Sequence, residues 1–173
     1  RVETSKSFTN YLELGRNEWI TKWPGMVVLC VSQIYWAMEI ESRFTTQSGI
    51  KDYFNELQTQ LFETVALIRS KDITNITRIS VRALIVIDVH AKDLVDMLVR
   101  NNVITENDFQ WLSQLRYYMI DEAVRVRIIS AEVPFAYEYL GNSERLVITP
   151  LTDRCYRTLM AAYQLHLNGA PEG

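Results

Sequence analysis

The 173-residue sequence holds only two histidines, His90 and His166, and neither has a cysteine or carboxylate at metal-ligand spacing, so a zinc centre is not expected. It also lacks a Gly-x-Ser-x-Gly elbow, which removes the serine-hydrolase reading. Charge of one sign is not in excess. With 18 Lys and Arg against 21 Asp and Glu, the net charge is -3, and neither a nucleic-acid backbone nor an anionic membrane is expected as a partner. No apolar run approaches the roughly 20 residues that span a bilayer, and the start Arg-Val-Glu-Thr-Ser-Lys does not resemble a secretory signal. The chain therefore reads as intracellular. Two cysteines, Cys30 and Cys155, fall far apart within predicted helices, which fits free, buried, inert thiols rather than a disulfide framework. Internal repeats and low-complexity tracts are missing too, leaving no basis for a solenoid. The chain opens without Met and closes on Asn168-Gly-Ala-Pro-Glu-Gly173, so a piece of a longer polypeptide is expected.

What is present is a 48% apolar content, enough for a buried core, arranged first with helical spacing. Phe8, Leu12, Trp19 and Ile20 mark an amphipathic beginning, which Trp23-Pro24-Gly25 ends because proline disfavours helix in the residue before it. A helix follows from Met26 to about Phe44, apolar all round at first and one-sided later. Leu57, Leu61, Val65 and Ile68 share one face of a helix from about Ile50 to Arg69. Val81 to Val99 contains strand-like Leu84-Ile85-Val86-Ile87, but its length and the spacing of Leu94, Met97 and Leu98 favour a buried helix. Thr105 and Asp108 suggest a capping arrangement ahead of a further helix carrying Phe109, Leu112, Leu115 and Met119. Beyond about Asp121 the period moves towards two. Val124, Val126 and Ile128 alternate with polar residues, Val133 to Leu140 forms a second extended run, Gly141-Asn142-Ser143 a turn, and Arg145 to Thr149 a short strand. Pro150 then opens a helix to about Gln164. The expected fold class is α+β: a predominantly helical part, a short β-hairpin region and one further helix, with a module boundary near residues 122–136.

Few residues suggest chemistry. His90 reads as a core or boundary histidine bonded to a backbone carbonyl. The carboxylate pairs Glu39/Glu41 and Asp121/Glu122 read as solvated surface charge, since adjacent or alternate helical positions diverge. Asn75-Ile76-Thr77 reads as an unused sequon. Trp19, Trp23, Tyr35, Trp36, Trp111, Tyr117 and Tyr118, all on predicted helices, read as packing residues, because a base-stacking platform would need accompanying positive charge. Near the end an apolar strand, Pro150, a helix and a glycine-containing segment follow one another, as around a phosphate-binding loop, yet no Gly-x-x-x-x-Gly-Lys-Ser/Thr is present. These residues alone lack the lysine and hydroxyl that hold phosphate and magnesium, so they are not expected to hydrolyse ATP.

Five blocks carry a family resemblance. They are Trp23-Pro24-Gly25 with Val-Leu-Cys-Val-Ser-Gln-Ile-Tyr-Trp (28–36), Ile87-Asp-Val-His-Ala91, Trp111-Leu-Ser-Gln-Leu-Arg-Tyr-Tyr118, Tyr137-Glu-Tyr-Leu-Gly141, and Arg145-Leu-Val-Ile-Thr-Pro-Leu-Thr-Asp-Arg-Cys-Tyr156. In this order they resemble dynein heavy chains, the first block being similar to the axonemal branch. The resemblance implies that residues 1–135 are the C-terminal part of a helical linker and residues 136–173 the N-terminal edge of the first AAA+ module. Gly173 then resembles the first glycine of a Walker A loop, and Asn168 departs from a glycine common in the family. Leu146, Val147, Ile148, Thr149, Pro150, Leu151 and Thr152 match the loop that packs on adenine. Apolar side chains suit that role, with backbone groups reading the polar edge of the base.

Further expectations follow from the same resemblance. The parent would be a microtubule motor ATPase using ATP and Mg2+, located in the cytoskeleton of a ciliary or flagellar axoneme. Its partners would be the rest of the AAA+ ring in cis, the microtubule and accessory chains. The extended pair around Val124 to Leu140 would pass movement of the module into the linker, with Gly141→Val in the full motor impairing coupling more than nucleotide binding. Composition alone equally supports a helical interaction or scaffold module with a small β appendage.

Overall fold

The computed structural model describes residues 1–44, 48–138 and 147–170. Its elements are α1 (Val2–Tyr11), α2 (Arg16–Lys22), α3 (Gly25–Arg43), α4 (Gly49–Arg69), α5 (Asn75–Arg100), α6 (Phe109–Leu112), β1 (Arg116–Ile120), β2 (Ala123–Ile128), β3 (Ala131–Pro134) and α7 (Pro150–Gln164). This is the expected α+β class. A helical assembly is followed by a three-stranded antiparallel sheet of order β1-β2-β3 and a last helix.

The amphipathic start is two helices, α1 and α2, and Leu12 between them faces solvent. Trp19 is fully buried, and its Nε1 donates to the carbonyl and hydroxyl of Ser7 at 3.1 and 3.0 Å, fastening α2 to α1. Trp23 is extended (φ -107°, ψ 150°), as a residue before proline must be, and α3 starts directly after Pro24. The strand-like centre of α5 is helical. Thr74 caps it by accepting from the Thr77 amide at 3.1 Å, and Leu84, Val95 and Leu98 are fully buried against α3 and α4. Burying each such side chain contributes about 1.5–3 kcal/mol, which outweighs the weak β preference of Ile and Val. At its other end α5 closes with Asn102 at φ 52°; the Asn102 amide bonds to Val99 and the Val103 amide to Leu98, satisfying two terminal carbonyls.

The helix expected through Met119 ends at Leu112. Asp108, not Thr105, caps it, accepting from the Gln110 amide at 2.8 Å. Tyr117 and Tyr118 consequently lie on β1 and not on a helix. The reason is pairing: Tyr117 faces Val126, Met119 faces Val124, and the Ile129 amide takes the Leu112 carbonyl at 2.6 Å. Local helical spacing was correct there, but the ladder to β2 satisfies the same backbone groups and gives the aromatic residues a pleated surface. Asp121 and Glu122, both at positive φ (48° and 56°), form the two-residue hairpin turn.

The alternation in β2 is as read: Val124, Val126 and Ile128 are buried and the intervening residues less so. Cys30 and Ile34 of α3 meet Val124, joining helices to sheet. Helix α7 starts at Pro150 as expected and runs to Gln164. None of its residues is buried, so Cys155 is exposed, contrary to the expectation of two buried thiols; Cys30 is buried, which pushes its thiol up to about 12. The extended run after β3 leaves the ladder at Pro134, and residues 147–149 form no strand. Gly141 and most of the expected turn lie outside the described residues.

Candidate functional site

Thr149 and Thr152 cap the start of α7 reciprocally. The Thr152 hydroxyl accepts from the Thr149 amide at 2.8 Å, and the Thr149 hydroxyl accepts from the Thr152 amide at 3.3 Å. Pro150, in the first turn, needs no amide partner there. These local interactions fix the direction in which Val147 and Ile148 arrive. Together Val147, Ile148, Thr149 and Pro150 form one wall of a cavity of about 520 Å³, and α5 supplies the opposite wall through Val86, Val89, Leu94 and Met97. Leu151 is instead 69% exposed and does not line the cavity, while Thr152 is occupied in the cap. Leu146 and Gly173 lie outside the described residues.

The structure adds polar residues that sequence reading passed over. His90 and Asp93 on α5 line the cavity, as do Asp153, Arg154 and Arg157 on α7. Their spacings of three and four residues were the available signal, since they place side chains on one helical face. His90 is half-buried and, among the described residues, makes no hydrogen bond to a backbone carbonyl, which corrects that expectation. Burial lowers its pKa, while the Asp153 and Asp93 carboxylates oppose the shift, so the imidazole is neutral at pH 7. Among the described residues no group of three or more His, Cys, Asp or Glu could hold a metal ion, and no helix is long and apolar enough to cross a membrane.

Glu41 also departs from its expectation of a solvated carboxylate. Its Oε1 accepts from the Tyr118 hydroxyl at 2.5 Å and from Trp111 Nε1 at 3.2 Å, with Arg116 Nη1 at 3.9 Å. Glu39 behaves more as expected, pairing on the surface with Arg43. The Asp121 and Glu122 carbonyls, rather than their carboxylates, are the engaged groups, each accepting from the Arg1 guanidinium.

Residues 135–173 match the family model described as the hydrolytic ATP binding site of the dynein motor region. The chain is 54% identical over 164 residues to dynein axonemal heavy chain 12 of Mus musculus, covering 94% of this chain and 5% of that protein. It is 50% identical over 163 residues to dynein axonemal heavy chain 3 of Homo sapiens (94% and 4%), and 46% identical over 168 residues to human dynein axonemal heavy chain 1 (97% and 4%). The sequence is that of an axonemal dynein heavy chain. It spans about one twentieth of the length of the dynein relatives it matches. The similarity runs through both the helices and the β region, so the helical part is dynein sequence as much as the terminal 39 residues matched by the family model.

Proposed function

We propose that this dynein segment joins the end of the linker, residues 1–135, to the edge of the first AAA+ module, residues 136–173, and that its parent is a microtubule motor ATPase of the ciliary or flagellar axoneme. The match of residues 135–173 to an ATP-binding-site model supports the division and the nucleotide. The observation that carries the site reading is the cavity walled by Val147, Ile148, Thr149 and Pro150. At about 520 Å³ it lies within the range of small-molecule sites, and its walls suit the base end of ATP. Leu146, Leu151, Thr152 and Gly173 belong to the same proposed nucleotide-facing set through the family resemblance. Val147 and Ile148 would cover the faces of the base, and backbone groups of this segment would meet its polar edge.

ATP, with Mg2+, supplies the phosphoryl group whose hydrolysis drives such motors, and the groups that hold phosphate and metal belong to other parts of the heavy chain. What these residues contribute is orientation and transmission. The reciprocal threonine cap holds the nucleotide-facing segment to α7, whose Gln164 Oε1 accepts from the Glu132 amide on β3 at 2.9 Å. β3 pairs with β2 and β2 with β1, and Glu41 fastens β1 to α3. Movement of α7 would pass along this route into the linker, with the remaining AAA+ ring in cis, microtubule and accessory chains engaged elsewhere.

Photolabelling of the intact motor with an azidoadenine form of ATP, followed by peptide mapping, tests the site. Label is expected on residues 146–152. Saturable labelling confined to other peptides would remove this segment from the base site. Gly141→Val in the same motor is expected to slow microtubule gliding while leaving ATP affinity within about threefold; unchanged gliding and ATPase rates would count against the transmission route.

A further inference from the structure

Behind the nucleotide-facing segment lies a second cavity, of about 280 Å³, between α3, α4 and α5 and bordered on its α7 side by Ile148, Asp153 and Tyr156. Its walls carry an unusual number of rings for a helical interior: Tyr11, Tyr35, Trp36, Tyr53 and Tyr156. Tyr11 stacks on Tyr35 with ring centroids 4.1 Å apart. Four carboxylates, from Glu39, Glu56, Asp88 and Asp153, line the same space against two guanidiniums, Arg16 and Arg43.

The ion pairing leaves a defined remainder. Arg16 is committed to Asp88, reaching both carboxylate oxygens at 2.9 Å, and Arg43 is committed to Glu39 Oε2 and Glu56 while its guanidinium lies over the Tyr53 ring. Among the described residues the Asp153 carboxylate has no hydrogen bond or salt bridge, and Glu39 Oε1 accepts nothing. His90, which also lines the cavity, is the remaining titratable neighbour and adds no fixed positive charge. The cavity is thus net negative and bounded by π faces. Those two properties favour the same ligand, because ring faces and free carboxylates both attract a positive centre, and flat rings offer apolar area to a flat body.

We propose that this cavity is a binding site for a small organic ammonium ion with a flat apolar body, of the size of an arylalkylamine. Asp153 and Glu39 receive the ammonium group, and the aromatic walls cover the ring. Because Ile148, His90 and Asp153 border both cavities, the site adjoins the nucleotide-facing cavity without coinciding with it. Neither the cavity's charge nor its ring composition depends on the nucleotide reading, so the two proposals fail separately.

The test uses the intact heavy-chain motor and phenethylammonium as probe, with 3-phenylpropanol as a neutral comparison of similar shape. Binding is read by ligand-observed NMR and calorimetry, with and without saturating ATP. Saturable binding of phenethylammonium is expected, about tenfold tighter than that of the alcohol, as the charge-dependent part of such contacts implies. The Glu39→Gln/Asp153→Asn double variant is expected to weaken ammonium binding about tenfold and to leave the alcohol unchanged. ATP should not displace the probe competitively. Absence of saturable binding, equal binding of the neutral compound, or simple competition with ATP would each overturn the proposal; the comparison of the two compounds on the unaltered motor decides it even if the double variant does not fold.

Discussion

The Tyr118 hydroxyl on β1 donates a 2.5 Å hydrogen bond to Glu41 on α3, across 77 positions of sequence. The same carboxylate oxygen serves Trp111, which is fully buried, so one side chain ties helix, short helix and sheet together. Tyr118→Phe is expected to destabilise by about 1.5–3 kcal/mol, the usual worth of a hydrogen bond to a charged group. Glu41→Ala should cost more, because it leaves both the indole N–H and the hydroxyl without their acceptor. Urea denaturation of the two variants checks the order; equal stability to the wild type would show that the contact carries no net energy.

Arg16 and Asp88 form the most enclosed ion pair, and Arg16 also reaches the Thr64 hydroxyl. Burial pushes the Asp88 carboxyl up, and Arg16 and then Thr64 draw it back. Asp88→Ala is expected to cost about 3–5 kcal/mol by stranding the guanidinium. Arg16→Met/Asp88→Leu should recover most of that loss, since neither charge then remains buried. A thermodynamic cycle over the single and double variants measures the difference, and a double variant no more stable than Asp88→Ala would refute it.

His90 predicts a pH dependence. Its folded pKa is lowered from the ordinary 6.5, chiefly by burial, so below pH 6.5 the unfolded chain binds the extra proton first. The stability associated with neutral His90 is therefore complete above 6.5 and lost as pH falls through the folded value. His90→Gln should flatten this slope between pH 7.5 and 5.5. Hydrogen exchange in α5 and α7 at those two pH values is the measurement, and an unchanged slope in the variant would assign the dependence to other groups.

Helix α7 closes on His166 at φ 57°, with the His166 amide bonded to Tyr163 and the Leu167 amide to Ala162. That left-handed position favours glycine. His166→Gly is expected to stabilise the helix end by about 1 kcal/mol, read as slower amide exchange in its last turn. Faster exchange would mean that the imidazole contributes more than the backbone conformation costs.

The sequence alone determined where most helices lie. Pro24 and Gly25 positioned the start of α3, the apolar spacing of Leu57 and its neighbours marked α4, and Pro150 marked the start of α7, because caps, fixed φ and periodicity act within a few residues. Alternation likewise identified the buried face of β2. Tertiary structure alone decided that residues 116–120 are a strand, since only β2, reached through a turn, offers their backbone partners. It also decided the fates of Glu41 and His90. Each resembles an ordinary helical residue locally; what distinguishes them is the Tyr118 hydroxyl in one case and the cavity shared with Asp153 in the other, and neither neighbour is set by spacing along the chain.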